Sequence, residues 1–152
     1  MIEISYEIHT LNGLIAHVID SIDSYAAAAG EPRAGRLSEM FRARADERRG
    51  VVRNFQSEVA RLGGEPEEHG TLLARAHRSD LKLKAAVAGN DVRAIISEVE
   101  RGEDHLKARF ESALADESLP LSVKLVIRTG SGVVSEGHDQ MRAFRHVLAV
   151  AA

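Results

Sequence analysis

The chain has no cysteine and no tryptophan, only three prolines, and 4% aromatic residues among its 152. Without cysteine there is no disulfide, thiolate metal site, iron–sulfur cluster or cysteine nucleophile, so any metal would need His or carboxylate ligands. Two Tyr and four Phe supply few platforms for stacking the bases of a single strand. Charge of one sign is also lacking. Twenty Lys and Arg against 23 Asp and Glu leave a formal net charge of −3, so there is no overall polycation and nucleic acid is not an expected partner. No apolar run approaches the roughly 18 residues of a spanning helix, and residues 1–10 lack the basic start and apolar centre of a signal peptide. A cytoplasmic protein without a membrane partner is expected. No Ser stands in a strand–turn–helix setting, which removes a nucleophilic triad.

Charged residues, Ala and Leu dominate what is present. Pro32, Pro66 and Pro120 each stand beside a loss of helical periodicity and so separate helices. Apolar residues at alternating spacings of three and four predict an all-α chain, one domain over 1–152, with helices at about 10–29, 33–62, 71–88, 90–115 and 120–148. The first carries Leu11, Ile15, Val18, Ile22 and Tyr25; the second Leu37, Phe41, Val51 and Phe55, closed by Gly63-Gly64. Asn90 is a good N-cap for the fourth, whose stripe is Val92, Ile96, Val99, Leu106 and Phe110. Residues 1–9 alternate Ile2, Ile4, Tyr6 and Ile8 with polar residues, a strand period that an extended first helix would also accommodate. Two long helices, a long crossover with a short helix, and two more long helices give the connectivity of a ferritin-like four-helix bundle.

Charges that interrupt the apolar stripes carry more information than the surface, because burying a charge costs several kcal/mol unless it is paired or bound to a metal. Glu103 falls near the centre of its stripe, with Glu100 at the edge, and Arg44 falls inside the second helix's stripe with Glu47 and Arg48 on its flanks. In crossover topology Glu47 and Glu103 lie at matching depths and are expected to share a layer. One reading is a buried Arg44–carboxylate pair that fixes helix register. The other is a carboxylate metal site for iron or manganese, with Glu47, Glu100 and Glu103 as ligands and His138 as the nitrogen donor. The Glu-x-x-His of di-metal bundles is missing: Gly50 follows Glu47 at +3, Glu103 follows Glu100, and Asp139 follows Glu136. No two of the seven His stand three or four apart. Asp20 points away from its stripe and is expected to be solvated, as is His105. Gly130 to Gly132 lack the setting of a phosphate loop and are expected to leave space opposite Glu103. Residues 33–62 carry eight Arg; pairing with the acidic first helix accounts for them better than a polyanion site.

The runs Leu11-Asn12-Gly13-Leu14-Ile15, Arg61-Leu62-Gly63-Gly64-Glu65-Pro66 and Glu98-Val99-Glu100-Arg101-Gly102-Glu103-Asp104, with Glu47-Arg48 and Leu83-Lys84-Ala85-Ala86 between, make the chain similar to a known group. It resembles a bacterial family of uncharacterised ferritin-like four-helix-bundle proteins over about residues 10–148. The resemblance implies the ferritin-like fold and brings no established activity. It also marks Glu47, Glu100 and Glu103 as positions to test. Gly130 and Ser131 depart from the family pattern, which has larger residues there. The expected protein is a non-catalytic helical bundle, a homodimer or other homo-oligomer with charges at its centre; the alternative is a carboxylate-type metal binder.

Overall fold

A computed structural model describes residues 2–71 and 92–151, with side chains over 6–32, 34–71 and 92–147. Four long helices are present among the described residues: α1 (Ile2–Ala29), α2 (Leu37–Arg61), α3 (Val92–Ala115) and α4 (Leu121–Ala151), with a single 3-10 turn at Pro32–Ala34. The short helix expected over 71–88 lies outside the described residues. α1 begins eight residues before the expected start at 10 because Ile8, packed against the core, continues the three–four spacing through Leu11 and Ile15. α2 begins later than expected. Gly35 takes a left-handed φ of 53°, which breaks the helical path between the 3-10 turn and Leu37.

The α2 stop follows from its glycines. Gly63 adopts φ 87° and donates to the Ala60 carbonyl at 3.0 Å, while Gly64 donates to Val59 at 2.9 Å, so the last turn's open carbonyls are satisfied. A Cβ on Gly64 would come within 2.8 Å of Ile8, so a side chain there would push on the first turns of α1. Beyond the stop, Asn12 holds the emerging chain: its amide donates to the Glu65 carbonyl at 3.0 Å and its oxygen accepts from Glu67 N–H at 2.8 Å. Asp20 is not simply solvated. It accepts from the Thr71 backbone N–H at 3.0 Å and from the Thr71 hydroxyl, so residues 65–71 are strapped along α1.

Side-chain contacts give the helix directions. Ile8 meets Gly64 and Tyr6 reaches Asp116, so α1 runs antiparallel to both α2 and α3. Arg48 meets Glu103, and one heptad later Phe55 meets Phe110, so α2 and α3 run parallel across the bundle, as a long crossover requires. α4 supplies Gly137 to the first of these levels and Gly130 to the second, in reversed order. α1 packs mainly on α2 and α3 mainly on α4, forming two hairpins around a core that includes Leu11, Ile15, Phe41, Phe55, Ile96, Phe110, Ile127 and Met141. Each buried apolar side chain of this size contributes about 1.5–3 kcal/mol.

Candidate functional site at the centre of the bundle

The middle level of the bundle is polar. Arg48 is the largest fully buried side chain, with a relative exposure of 0%, because it sits on the α2 stripe one heptad before Phe55. Its Nη2 donates to Glu103 Oε2 at 2.6 Å and its Nη1 to Ser21 Oγ at 2.9 Å. Its guanidinium carbon also stands 5.7 Å from the centroid of the Tyr25 ring, within range of a cation–π contact. Gly137 makes this arrangement fit: a Cβ there would lie 2.5 Å from Arg48 Nη2 and 3.2 Å from Glu103. The space expected from Gly130 is taken by other groups. A Cβ on Gly130 would meet the Phe55 ring at 2.7 Å and the Phe110 ring at 3.2 Å, so that glycine serves the aromatic level.

Arg44, one turn before Arg48, is also buried; its Nη1 donates to Glu47 at 2.7 Å and its Nη2 to Gln140. Among the described residues, Arg44 Nε and Arg48 Nε are buried without a hydrogen-bond partner, and the buried Tyr25 hydroxyl has the Glu103 carboxylate beside it. Burial and the adjacent Glu103 carboxylate push the Tyr25 hydroxyl far above the usual phenol range, so it stays protonated.

The four sequence-predicted ligands are thus dispersed. Glu103 is buried as expected, and its partner is Arg48. Glu47 does not share its layer: with its side chain 48% exposed, Glu47 lines a groove between α2 and α4 with Glu136, Thr129 and Gly50. One residue of helical rotation separates the outcomes, since Arg48 takes the inward position and leaves Glu47 half-exposed, accepting from the buried Arg44. Glu100 and His138 do come together, on the α3/α4 rim. Glu100 accepts from Arg145 at 2.8 Å, which raises the affinity of Arg145 for its proton. His138 bonds through Nε2 to Asp104 and approaches Asp139 at 3.4 Å, and both residues border a cleft with Arg142 and His146. Sequence reasoning placed Arg48 on a flank and treated Tyr25 only as core; the signal that could have found the layer is the heptad repeat of Gly130 and Gly137 against Phe55 and Arg48. His105 is exposed as expected, yet its ring meets His17 of α1 with centroids 5.4 Å apart.

Residues 6–116 match the model of a family described as Domain of unknown function (DUF2383). The chain belongs to this family. For the DUF2383 chain no curated protein gives a match. Among solved structures it is similar to a crystal structure described as ferritin like, diiron-carboxylate proteins from Bacillus anthracis str. Ames, at 15% identity and a TM-score of 0.71, covering 94% of this chain and 97% of that one. At that identity the likeness shows the fold, and the DUF2383 chain is an uncharacterised ferritin-like four-helix bundle with buried charges at its centre.

Whether its residues suit a di-metal centre is decided by the central level. Such a centre takes a Glu from each of two helices and a Glu-x-x-His from each of the other two, all directed inward. Here α1 supplies Ser21, α2 Arg48, α3 Glu103 and α4 Gly137. That is one carboxylate facing a permanent cation, and a guanidinium occupies the space between the helices. Among the described residues no three of His, Cys, Asp or Glu are grouped to hold an ion. The residues present do not fit a centre of that kind.

Proposed function

We propose that this DUF2383 bundle is a non-catalytic structural or interaction protein whose centre is closed by its own cation, and that it works as a homodimer or other homo-oligomer in the cytoplasm. The observation that carries the reading is the Arg48–Glu103 pair, 2.6 Å long and fully enclosed. A buried guanidinium balances the carboxylate that a metal would otherwise neutralise. The exposed surface supports an interacting role. Leu121 and Leu125, one turn apart on α4, are 68% and 52% exposed. No helix among the described residues is long and apolar enough to cross a membrane.

The test is elemental analysis of untagged protein after loading with iron, manganese and zinc and desalting, with Glu103→Ala in parallel and light scattering for the mass in solution. The expected result is far less than one iron or manganese per chain in either protein, and a mass of two or more chains. Near-stoichiometric iron or manganese that disappears in Glu103→Ala would instead establish the carboxylate site drawn from Glu47, Glu100, Glu103 and His138.

A further inference from the structure

One face of α4 is left uncovered along the described length of the helix. At about 100° per residue, Leu121, Leu125, Arg128, Gly132, Glu136 and Ala143 fall within about 80° of one another, and all are exposed. Val147, at the edge of the same face near its far end, is 61% exposed. The face therefore has apolar ends, a charged middle and a glycine at its centre, over roughly 39 Å from Leu121 to Val147. Leu121 and Leu125 stand one turn apart, so their exposed surface is contiguous and not scattered.

The order of the groups says what covers this face. Arg128 and Glu136, one turn before and one turn after Gly132, have no hydrogen-bond or ion-pair partner among the described residues. A Cβ on Gly132 would meet nothing within 4 Å, so the bundle's own packing does not call for a glycine there, in contrast to Gly130 and Gly137. Glycine weakens an exposed helix relative to Ala, and what it offers instead is close approach of a second backbone. The two charges are mirrored about Gly132 with opposite sign, which makes the surface complementary to its own copy. In an antiparallel copy Arg128 of each chain comes level with Glu136 of the other, with Asp139 one turn further on. Leu121 of each then comes level with Ala143 of the other, beside Val147. A parallel copy would instead set Arg128 against Arg128 and Glu136 against Glu136, which like-charge repulsion opposes.

We propose that this face is the contact between two copies of the chain, with the two α4 helices antiparallel and crossing at Gly132 on a two-fold axis. This contact, which rests on the homo-oligomer reading above, adds a surface, a direction and a register to it. Gly132 lets the backbones approach at the axis, two reciprocal Arg128–Glu136 pairs fix the register on either side, and the leucines close the ends over Ala143 and Val147.

The test is the mass of the full chain in solution, by sedimentation equilibrium at micromolar concentration. The wild type should be a dimer. Gly132→Leu, whose side chain has open space in a single bundle, should weaken self-association about tenfold or more without lowering the melting temperature. Arg128→Glu and Glu136→Arg should each weaken it by a similar factor, because each sets like charges against one another at both ends of the contact. An equimolar mixture of those two variants should associate as the wild type does, since the mixed pair alone restores both ion pairs. Gly132→Cys, the sole thiol in its chain, should give a disulfide-linked dimer on oxidation with diamide, whereas Ala108→Cys on the exposed face of α3 should not. A wild-type monomer would overturn both this contact and the homo-oligomer reading. A wild-type dimer or larger assembly unmoved by Gly132→Leu and by both charge reversals, or a mixture of the reversed chains that stays dissociated, would overturn this contact alone and leave that reading standing.

Discussion

Two neighbouring levels of the bundle share one design and differ in chemistry. At one, Phe55 of α2 meets Phe110 of α3 with ring centroids 5.8 Å apart, admitted by Gly130 of α4. One heptad away, Arg48 meets Glu103, admitted by Gly137. In both a large α2 side chain crosses the bundle through space that α4 leaves empty. The aromatic level gains from dispersion and from apolar area removed from water. At the charged level desolvation offsets most of the Coulomb attraction, so that pair contributes to definition more than to stability.

The largest expected effect comes from breaking the charged level on one side. Arg48→Ala leaves Glu103 buried without its partner and should cost about 3–5 kcal/mol in urea unfolding. The double variant Arg48→Met with Glu103→Leu converts the charged level into a second apolar one. It should recover at least wild-type stability, and possession of a cation would then be shown not to be a requirement for folding. Gly130→Val tests the aromatic level and should cost about 2–3 kcal/mol, because a ring confined on both sides cannot yield to a Cβ that would stand 2.7 Å away. Gly137→Ala should cost about 1–2 kcal/mol, since its Cβ would stand 2.5 Å from the held guanidinium of Arg48, 3.0 Å from Arg44 Cδ and 3.2 Å from Glu103.

The smallest effects are on pH dependence. Tyr25 has a folded pKa raised above its ordinary value of 10.0, so the unfolded chain ionises first. Its contribution is intact below that value and is lost as pH rises through and beyond it, and Tyr25→Phe should reduce the alkaline fall in melting temperature. Asp116 has the opposite sign: hydrogen bonds from the Ser118 hydroxyl, Tyr6 and the Ser118 backbone hold its carboxyl below 3.8. Its contribution is present above that value and disappears as pH falls through the depressed one, so Asp116→Asn should flatten the acid limb slightly.

Much of the fold was legible because apolar spacing reports burial directly: the stripes of Leu11 to Tyr25 and Ile96 to Phe110 are buried faces. The inward Glu103 was legible for the same reason. Periodicity put Arg44 inside its stripe, and Arg44 is buried; what it could not decide was which flanking residue, Glu47 or Arg48, also enters the core. A hundred degrees of rotation separates neighbours on a helix, a stripe tolerates that much error, and the choice was made by an α4 glycine distant in sequence. The start of α2 was misjudged because Gly35 and the 3-10 turn leave no mark in a hydrophobic pattern. The meeting of His17 with His105 was hidden because it depends on helix pairing and on no local spacing.

The strap formed by Asn12 and Asp20 changes the arithmetic of the connection between the hairpins. Thr71 is tied beside Asp20, well along α1 from the α2 stop that sits against Ile8. The chain has therefore climbed about twelve residues of α1, or roughly 18 Å, before the connection to Val92 begins. Length variation is thus expensive between Leu62 and Thr71, where each added residue would have to be threaded past Asn12.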